Sequence, residues 1–125
     1  MLGDLPVAAS IPSADQGRAK KFYQDVLGLK LEHEDEGGAL FECGQGTRLF
    51  VYPTKGAGES WHTLAAFNTS DIDAEVKDLE SRGVKFEEYD LPGIKTVNGI
   101  ATDPSGNKAA WFKDSEGNTL GVVQM

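Results

Sequence analysis

The sequence predicts an α+β domain in which two βαβββ modules form one cupped mixed sheet with the helices on its convex side. The first observation is an internal repeat, since residues 39–51 (ALFECGQGTRLFV) and 110–122 (AWFKDSEGNTLGV) align 71 positions apart. The second is that each half contains one helical segment followed by strands. The third is the length, because 125 residues supply one core and not two. We therefore predict a single domain, 1–125, of two modules at about 5–53 and 60–125, joined by a short linker.

Apolar spacing predicts one helix in each half. The first covers residues 15–28, where Asp15 is placed to cap the start and Gly28 to end the helix. The second covers residues 70–82 and is followed by Gly83. The apolar residues that recur at helical spacing are Ala19, Phe22, Tyr23, Val26 and Leu27 in the first helix and Ile72, Val76 and Leu79 in the second.

Strands are predicted on both sides of each helix. A strand precedes each helix, and a matching strand start follows each one. The long connection from 91 to 107, rich in Gly, Pro, Asn, Asp and Thr, exceeds most loops of compact domains and suggests a lid or a dimer contact. The predicted strands before the helices are 6–11 and 61–67. After the helices, strands are predicted to start at 29–31 and at 84–86, and the second of these continues to 89. The last two predicted strands are 108–113 and 119–124.

Alternation along the strands separates a face beneath the helices from an opposite face that lines the concavity. The face beneath the helices is predicted to carry Val7, Ala9, Ile11, Leu49, Val51, Leu120 and Val122. The opposite face is predicted to carry Ala8, Ser10, Arg48, Phe50, Tyr52, His62, Leu64, Ala66, Thr119, Gly121 and Val123.

Charge and cysteine content restrict the partners and the location. Twenty acidic and twelve basic residues give a formal charge of −8, which opposes a nucleic-acid backbone and suits a cationic or neutral ligand. Cys43 is the only cysteine, and no signal peptide or apolar run long enough to cross a membrane is evident. We expect a cytoplasmic protein without nucleic-acid or membrane partners.

Three segments resemble the vicinal oxygen chelate superfamily, which contains glyoxalase I, extradiol dioxygenases and bleomycin resistance proteins. They are residues 11–31 (IPSADQGRAKKFYQDVLGLKL), 71–86 (DIDAEVKDLESRGVKF) and 109–124 (AAWFKDSEGNTLGVVQ). Together with the repeat they cover nearly the whole chain. The resemblance implies the cupped fold of two modules and a homodimer.

The resemblance also implies where a divalent metal would be bound. Metal-dependent members use His, Gln or Glu from the first and last strand of each module, and the matching positions here are Ala8, Phe50, Leu64 and Gly121. None of these side chains carries a donor, whereas a metal needs several oxygen or nitrogen ligands. We therefore predict no metal cofactor. A shifted strand that presents His62, or a peripheral site at His33 with Glu32 or Glu34, is the remaining possibility.

The predicted function is binding of an organic molecule, cationic or aromatic, in an apolar and aromatic cup. The ligand-binding residues are predicted to be Phe50, Tyr52, Trp61, His62, Leu64, Trp111 and Gly121. The alternative is an enzyme of the superfamily with a displaced metal site, or with metal-independent chemistry through His62, Tyr52 or Glu42. A third possibility is an interaction module whose cup is filled by its own side chains. Cys43 is expected to be a small packing residue and not a nucleophile.

Overall fold

In the computed structural model, which describes residues 1–125, ten strands and two helices confirm the predicted α+β class. The strands divide into two mixed sheets. The first half of the chain contains β1 (Ala8–Ser13), α1 (Gln16–Lys21), β2 (Lys30–Asp35), β3 (Gly38–Glu42) and β4 (Arg48–Pro53). The second half contains β5 (Thr63–Asn68), α2 (Ile72–Ser81), β6 (Asp90–Leu91), β7 (Ile94–Val97), β8 (Ile100–Thr102), β9 (Lys108–Lys113) and β10 (Thr119–Gln124).

The two sheets repeat one strand order. The first sheet has the order β1-β4-β3-β2, and the second begins with β5-β10-β9-β8 before it continues into β7 and β6. In both sheets the strand before the helix lies parallel to the last strand of that half, and the remaining ladders are antiparallel. The repeat read from the sequence therefore corresponds to a repeated topology.

Each helix begins after an aspartate cap, which was predicted for Asp15 in the first helix but not for Asp71 in the second. The carboxylate of Asp15 accepts a hydrogen bond from the Arg18 N–H at 3.0 Å, and that of Asp71 accepts one from the Ala74 N–H at 3.1 Å. The α-helical part of the first helix ends at Lys21, and the chain continues through a π-helical turn over Phe22–Val26. The second helix is two residues shorter at its start than predicted and one residue shorter at its end.

One hydrophobic core connects both halves of the chain. Tyr23 and Ile72 from the helical segments and Phe41 and Phe112 from the strands are completely buried in the same cluster. Of the residues predicted to face the helices, Ile11, Leu49, Val51, Leu120 and Val122 are buried. Val7 is 89% exposed, so its assignment to the buried face was wrong. The reason is that the first strand begins at Ala8, two residues after the predicted start at residue 6, and Val7 lies outside it.

Two other predictions about the second half were wrong. Residues 84–89 form no strand and make only an isolated bridge between Phe86 and Phe112. The connection 91–107 is not a continuous loop, since it contains the end of β6 and the short strands β7 and β8. The hairpin of β7 and β8 turns at Asn98 and Gly99, both with positive φ. β8 pairs with Lys108 and Ala109 of β9, and residues 84–89 reach β9 only farther along, where Phe86 bridges to Phe112.

A buried polar cluster ties the turn between β9 and β10 to the first helix. The Glu116 side chain has no exposed surface, and its carboxylate accepts hydrogen bonds from the N–H groups of Ala14 (2.9 Å) and Asp15 (2.8 Å). The Arg18 guanidinium donates to both of its oxygens, at 2.8 and 3.1 Å. Burial alone would raise the pKa of Glu116, but these donors lower it to about 2. The carboxylate is therefore charged and fully hydrogen-bonded at neutral pH.

Asp114 completes this cluster from the same turn. Its carboxylate accepts hydrogen bonds from the Tyr23 hydroxyl at 2.6 Å and from the Asn118 side-chain N–H at 2.9 Å. Burial and the neighbouring Asp114 charge raise the pKa of Tyr23 well above its ordinary range.

Neither helix of the chain is long and apolar enough to span a bilayer.

Candidate functional site

The strand register identifies which residues share the face opposite the helices, here called the open face. Ser10 lies beside Phe50 across β1 and β4, and Ala66 lies beside Gly121 across β5 and β10. Since Phe50 and Gly121 are equivalent in the repeat, Ser10 and Ala66 are equivalent too, an offset of 56. At the start of β5 the offset changes to 55, because Ala8 pairs with Arg48 and the equivalent of Arg48, Thr119, pairs with Thr63. The comparison made from the sequence placed this position one residue later, at Leu64.

The register also shows how Leu64 differs from its counterpart. Ala8 has a regular partner on β4, but the ladder of β5 with β10 shifts between Thr63 and Ala65. Leu64 therefore lies in a β-bulge without a direct partner on β10. The bulge changes the direction of the first residues of β5, whereas the equivalent strand β1 pairs regularly with β4.

Aromatic side chains cover part of the open face in pairs. Phe50 and Tyr52 alternate on β4 and stack with ring centroids 6.0 Å apart and an angle of 6° between the rings. Trp111 on β9 meets Tyr89 edge to face at 5.5 Å. The first pair belongs to the first sheet and the second pair to the second sheet, and all four side chains are half-buried. Each pair leaves part of its ring surface open to a flat ligand.

Trp61 and His62 form a third pair in the segment that precedes β5. Their rings stack with centroids 4.2 Å apart, and the Trp61 side chain is 79% exposed. The only side chain within hydrogen-bonding distance of the His62 ring is Ser60, at 3.4 Å from Nδ1 to Oγ. His62 lies one residue before β5, and no group of three or more side chains that could hold a metal ion includes it.

The four positions that the superfamily uses for metal ligands do not fit a metal here. Ala8, Phe50 and Leu64 present hydrocarbon groups, and Gly121 presents only its backbone. A methyl group added at Gly121 would lie 3.5 Å from the Thr63 methyl group and from the Trp111 ring. Thr63 also carries a hydroxyl group, but one hydroxyl oxygen does not supply the several ligands that a divalent metal needs. The Phe50 ring lies against Gly38, where an added Cβ would come within 2.7 Å of it. No group of three or more His, Cys, Asp or Glu side chains in the structure is arranged so that it could hold a metal ion.

The peripheral residues considered as metal ligands or catalysts have other partners. Glu32 forms an ion pair with Arg48, and Glu34 forms one with Lys20. Neither acid contacts His33, whose ring lies 3.1 Å from the Asp35 carboxylate instead. Glu42 lies 3.8 Å from the Lys30 ammonium. Cys43 is half-buried against the core, and burial raises the pKa of its thiol, which opposes a nucleophilic role.

Three cavities of about 240, 330 and 380 Å³ lie elsewhere on the molecule. None is lined by any of the seven residues predicted to bind the ligand. Of the residues on the open face, Arg48 and Ala66 border the cavity of about 330 Å³, whereas the aromatic pairs lie outside all three cavities. Residues that sequence reasoning missed on this face are Leu40, which lies opposite Phe50, and Tyr89 beside Trp111. The alternation of β3 could have indicated Leu40.

This topology and this arrangement of site positions define a class of cupped, two-module βαβββ proteins. The sequence profile of the Glyoxalase/Bleomycin resistance protein/Dioxygenase superfamily matches residues 6–121, and the chain belongs to that superfamily. A search of curated proteins found no match to the sequence.

Solved structures share the fold. The chain is similar to a glyoxalase family protein from Enterococcus faecalis, with a TM-score of 0.75 and 19% identity over 98% of this chain and 99% of that one. A superfamily member from Sphaerobacter thermophilus has a TM-score of 0.71 and 22% identity, over 97% of each chain. A lactoylglutathione lyase from Agrobacterium tumefaciens has a TM-score of 0.68 and 19% identity, over 96% of this chain and 92% of that one. At these identities the likeness establishes the fold alone.

Proposed function

We propose that this chain binds a planar organic molecule on its open face without a divalent metal. The observation that carries the proposal is that none of the four residues at the metal-ligand positions has a side chain that could bind a metal. The same face also presents the Phe50–Tyr52 and Tyr89–Trp111 pairs. Stacking on such rings needs no donor atom, and aromatic contacts contribute roughly 0.5–1.5 kcal/mol per pair. Sequestration of a ligand requires only this binding.

The charge of the chain favours a cationic ligand. With −8 charges, the protein attracts organic cations and repels anions such as glutathione conjugates. A planar cation can also interact with the ring faces of Trp and Tyr. The bleomycin resistance proteins of the superfamily therefore suggest a suitable probe, since bleomycin combines a planar bithiazole with a cationic tail.

A second copy of the chain would complete the binding surface. Because none of the three cavities is lined by the residues predicted to bind the ligand, we propose a homodimer in the cytoplasm, in which the partner covers the other side of the ligand. Small-molecule sites usually bury most of the ligand surface, and one exposed sheet cannot do so.

The test is a fluorescence titration in the presence of EDTA. The variant Trp61→Phe leaves Trp111 as the only tryptophan reporter, and bleomycin is the first probe, with the planar cation proflavine as the second. We expect saturable quenching that weakens about tenfold in Phe50→Ala, as loss of one stacking ring predicts. The control Leu2→Ala, at an exposed position of the N-terminal segment before β1, should leave it unchanged.

The proposal fails if neither probe changes Trp111 fluorescence, or if binding occurs only after a divalent ion replaces EDTA. It also fails if Phe50→Ala and Leu2→Ala bind alike. S-lactoylglutathione serves as the anionic comparison, for which we expect no saturable signal.

A further inference from the structure

A cavity of about 240 Å³ lies on the side of the second sheet that faces the helices, away from the open face. It is bounded by the turn after the first helical segment, by α2 and by the strands β5, β9 and β10. Three polar residues, Asn68, Thr69 and Glu75, stand at its rim. The six apolar residues that line it are Leu27, Leu29, Phe67, Leu79, Phe112 and Val122.

The apolar walls of this cavity are held in place by the fold. Phe112 is completely buried and Val122 is nearly so, and both belong to the common core. The N–H of Leu27 donates to the carbonyl of Phe22 at 3.1 Å, and that of Leu29 donates to Tyr23 at 2.9 Å, which fixes the turn between them. A ligand would therefore enter a formed site and would not have to order a loop.

The volume limits the ligand to a small ring with a short chain. An apolar cavity of roughly 150 Å³ is sufficient for benzene. The additional space here admits two or three further non-hydrogen atoms. Larger polycyclic molecules of the kind proposed for the open face do not fit.

The rim selects the charge of the ligand. Glu75 is the only ionisable residue that lines the cavity, and it takes part in no ion pair. The Thr69 N–H donates to Val123 and its hydroxyl accepts the Asp71 N–H, so both are engaged within the chain. The Asn68 side chain makes no hydrogen bond to the rest of the protein and can accept or donate one.

From the apolar walls and this single carboxylate we propose that the cavity binds a small primary amine with an aromatic or branched aliphatic body. The ring lies against Leu27, Leu29 and Phe67, which are the partly exposed apolar residues of the cavity. The ammonium group lies at Glu75. This site is separate from the open face and does not depend on the function proposed for it.

Two-dimensional amide NMR of the intact protein tests this site with 2-phenylethylamine as the probe. We expect saturable shifts of the Leu27, Leu29, Asn68 and Thr69 amides. Phenylacetate, which has the same ring with an anionic end, and ethylamine, which lacks the ring, should cause none. Because an exposed ion pair contributes only modestly, Glu75→Gln should weaken binding about threefold, while Glu80→Gln, at an exposed position of the same helix outside the cavity, should leave it unchanged.

A filled cavity supplies the second arm of the test. Leu27→Trp places an indole where the ring of the probe would lie and should abolish the shifts, and Trp111→Phe, on the open face, should preserve them. The proposal is overturned if 2-phenylethylamine shifts no amide around the cavity, if phenylacetate binds equally well, or if Glu75→Gln and Glu80→Gln have the same affinity. Since Glu75 is exposed, its substitution leaves the fold intact and keeps the test valid even if Leu27→Trp does not fold.

Discussion

Glu116→Gln should destabilise the protein by about 3 kcal/mol at pH 7 because it removes the charged group that ties the β9–β10 turn to the first helix. The Glu116 side chain has no exposed surface, and its pKa is lowered from 4.5 to about 2 by Arg18 and by backbone N–H groups against the opposing effect of burial. At ~1.4 kcal/mol per pKa unit this difference corresponds to ~3 kcal/mol of folding free energy. A glutamine amide would also point an N–H towards the Arg18 Nε–H, which now donates to the carboxylate at 2.8 Å.

The sign of the pH dependence follows from the lowered pKa. The contribution of Glu116 is complete above its unfolded pKa of about 4.5 and is lost as the pH falls towards 2. At pH 3 about half should remain. The difference in unfolding free energy between the wild type and Glu116→Gln should therefore shrink between pH 5 and pH 3.

Urea unfolding at pH 7, 5, 4 and 3 measures this difference directly. At pH 7 the melting temperature of the variant should also fall by about 10 °C for a domain of this size. Glu34→Gln is the matched control, because the ion pair of Glu34 with Lys20 is one-third exposed and should contribute less than about 1 kcal/mol. The proposed role of Glu116 is wrong if Glu116→Gln unfolds within about 0.5 kcal/mol of wild type, or if the difference stays constant from pH 7 to pH 3.

Three further substitutions test the fold. Tyr23→Phe removes the buried 2.6 Å hydrogen bond to the Asp114 carboxylate and should cost about 1.5–3 kcal/mol in urea unfolding; a loss below about 0.5 kcal/mol would contradict the role of this cluster. Gly38→Ala should lower the melting temperature by several degrees, because the new Cβ would lie 2.6 Å from a backbone oxygen of β4 and φ is +148°; an unchanged melting curve would show that this contact relaxes freely. Asp71→Ala removes the cap of α2 and should cost about 1 kcal/mol, which a wild-type urea midpoint would disprove.

Local signals explain why much of the fold was predictable. Asp15 and Asp71 cap helices through contacts three residues away, and the repeat identified Phe50 and Gly121 as equivalents, which the register of both sheets supports. The hairpin at residues 94–102 was missed although Asn98–Gly99 is a turn sequence typical of two-residue hairpins. Its strands are only four and three residues long, and the Gly, Pro, Asn and Asp residues around them resemble a loop in composition.

The long-range polar cluster could not be predicted in this way. The residues 114–118 read as an ordinary hairpin turn, and nothing near them in sequence indicates that Glu116 meets Arg18 or that Asp114 meets Tyr23. These partners are separated by more than ninety residues, and only the packing of the two halves brings them together. The cavity near Glu75 has the same origin, since its walls come from five separate segments.

We propose above all that this member of the superfamily binds an organic ligand without a divalent metal, because Ala8, Phe50, Leu64 and Gly121 supply no donor side chain. The decisive experiment is a thermal shift series over Zn²⁺, Ni²⁺, Fe²⁺ and Mn²⁺, made on protein purified without chelator. We predict that no ion raises the melting temperature by more than about 1 °C, as linkage requires when the folded state has no tight site. A rise of several degrees with about one ion bound per chain would contradict metal-free binding.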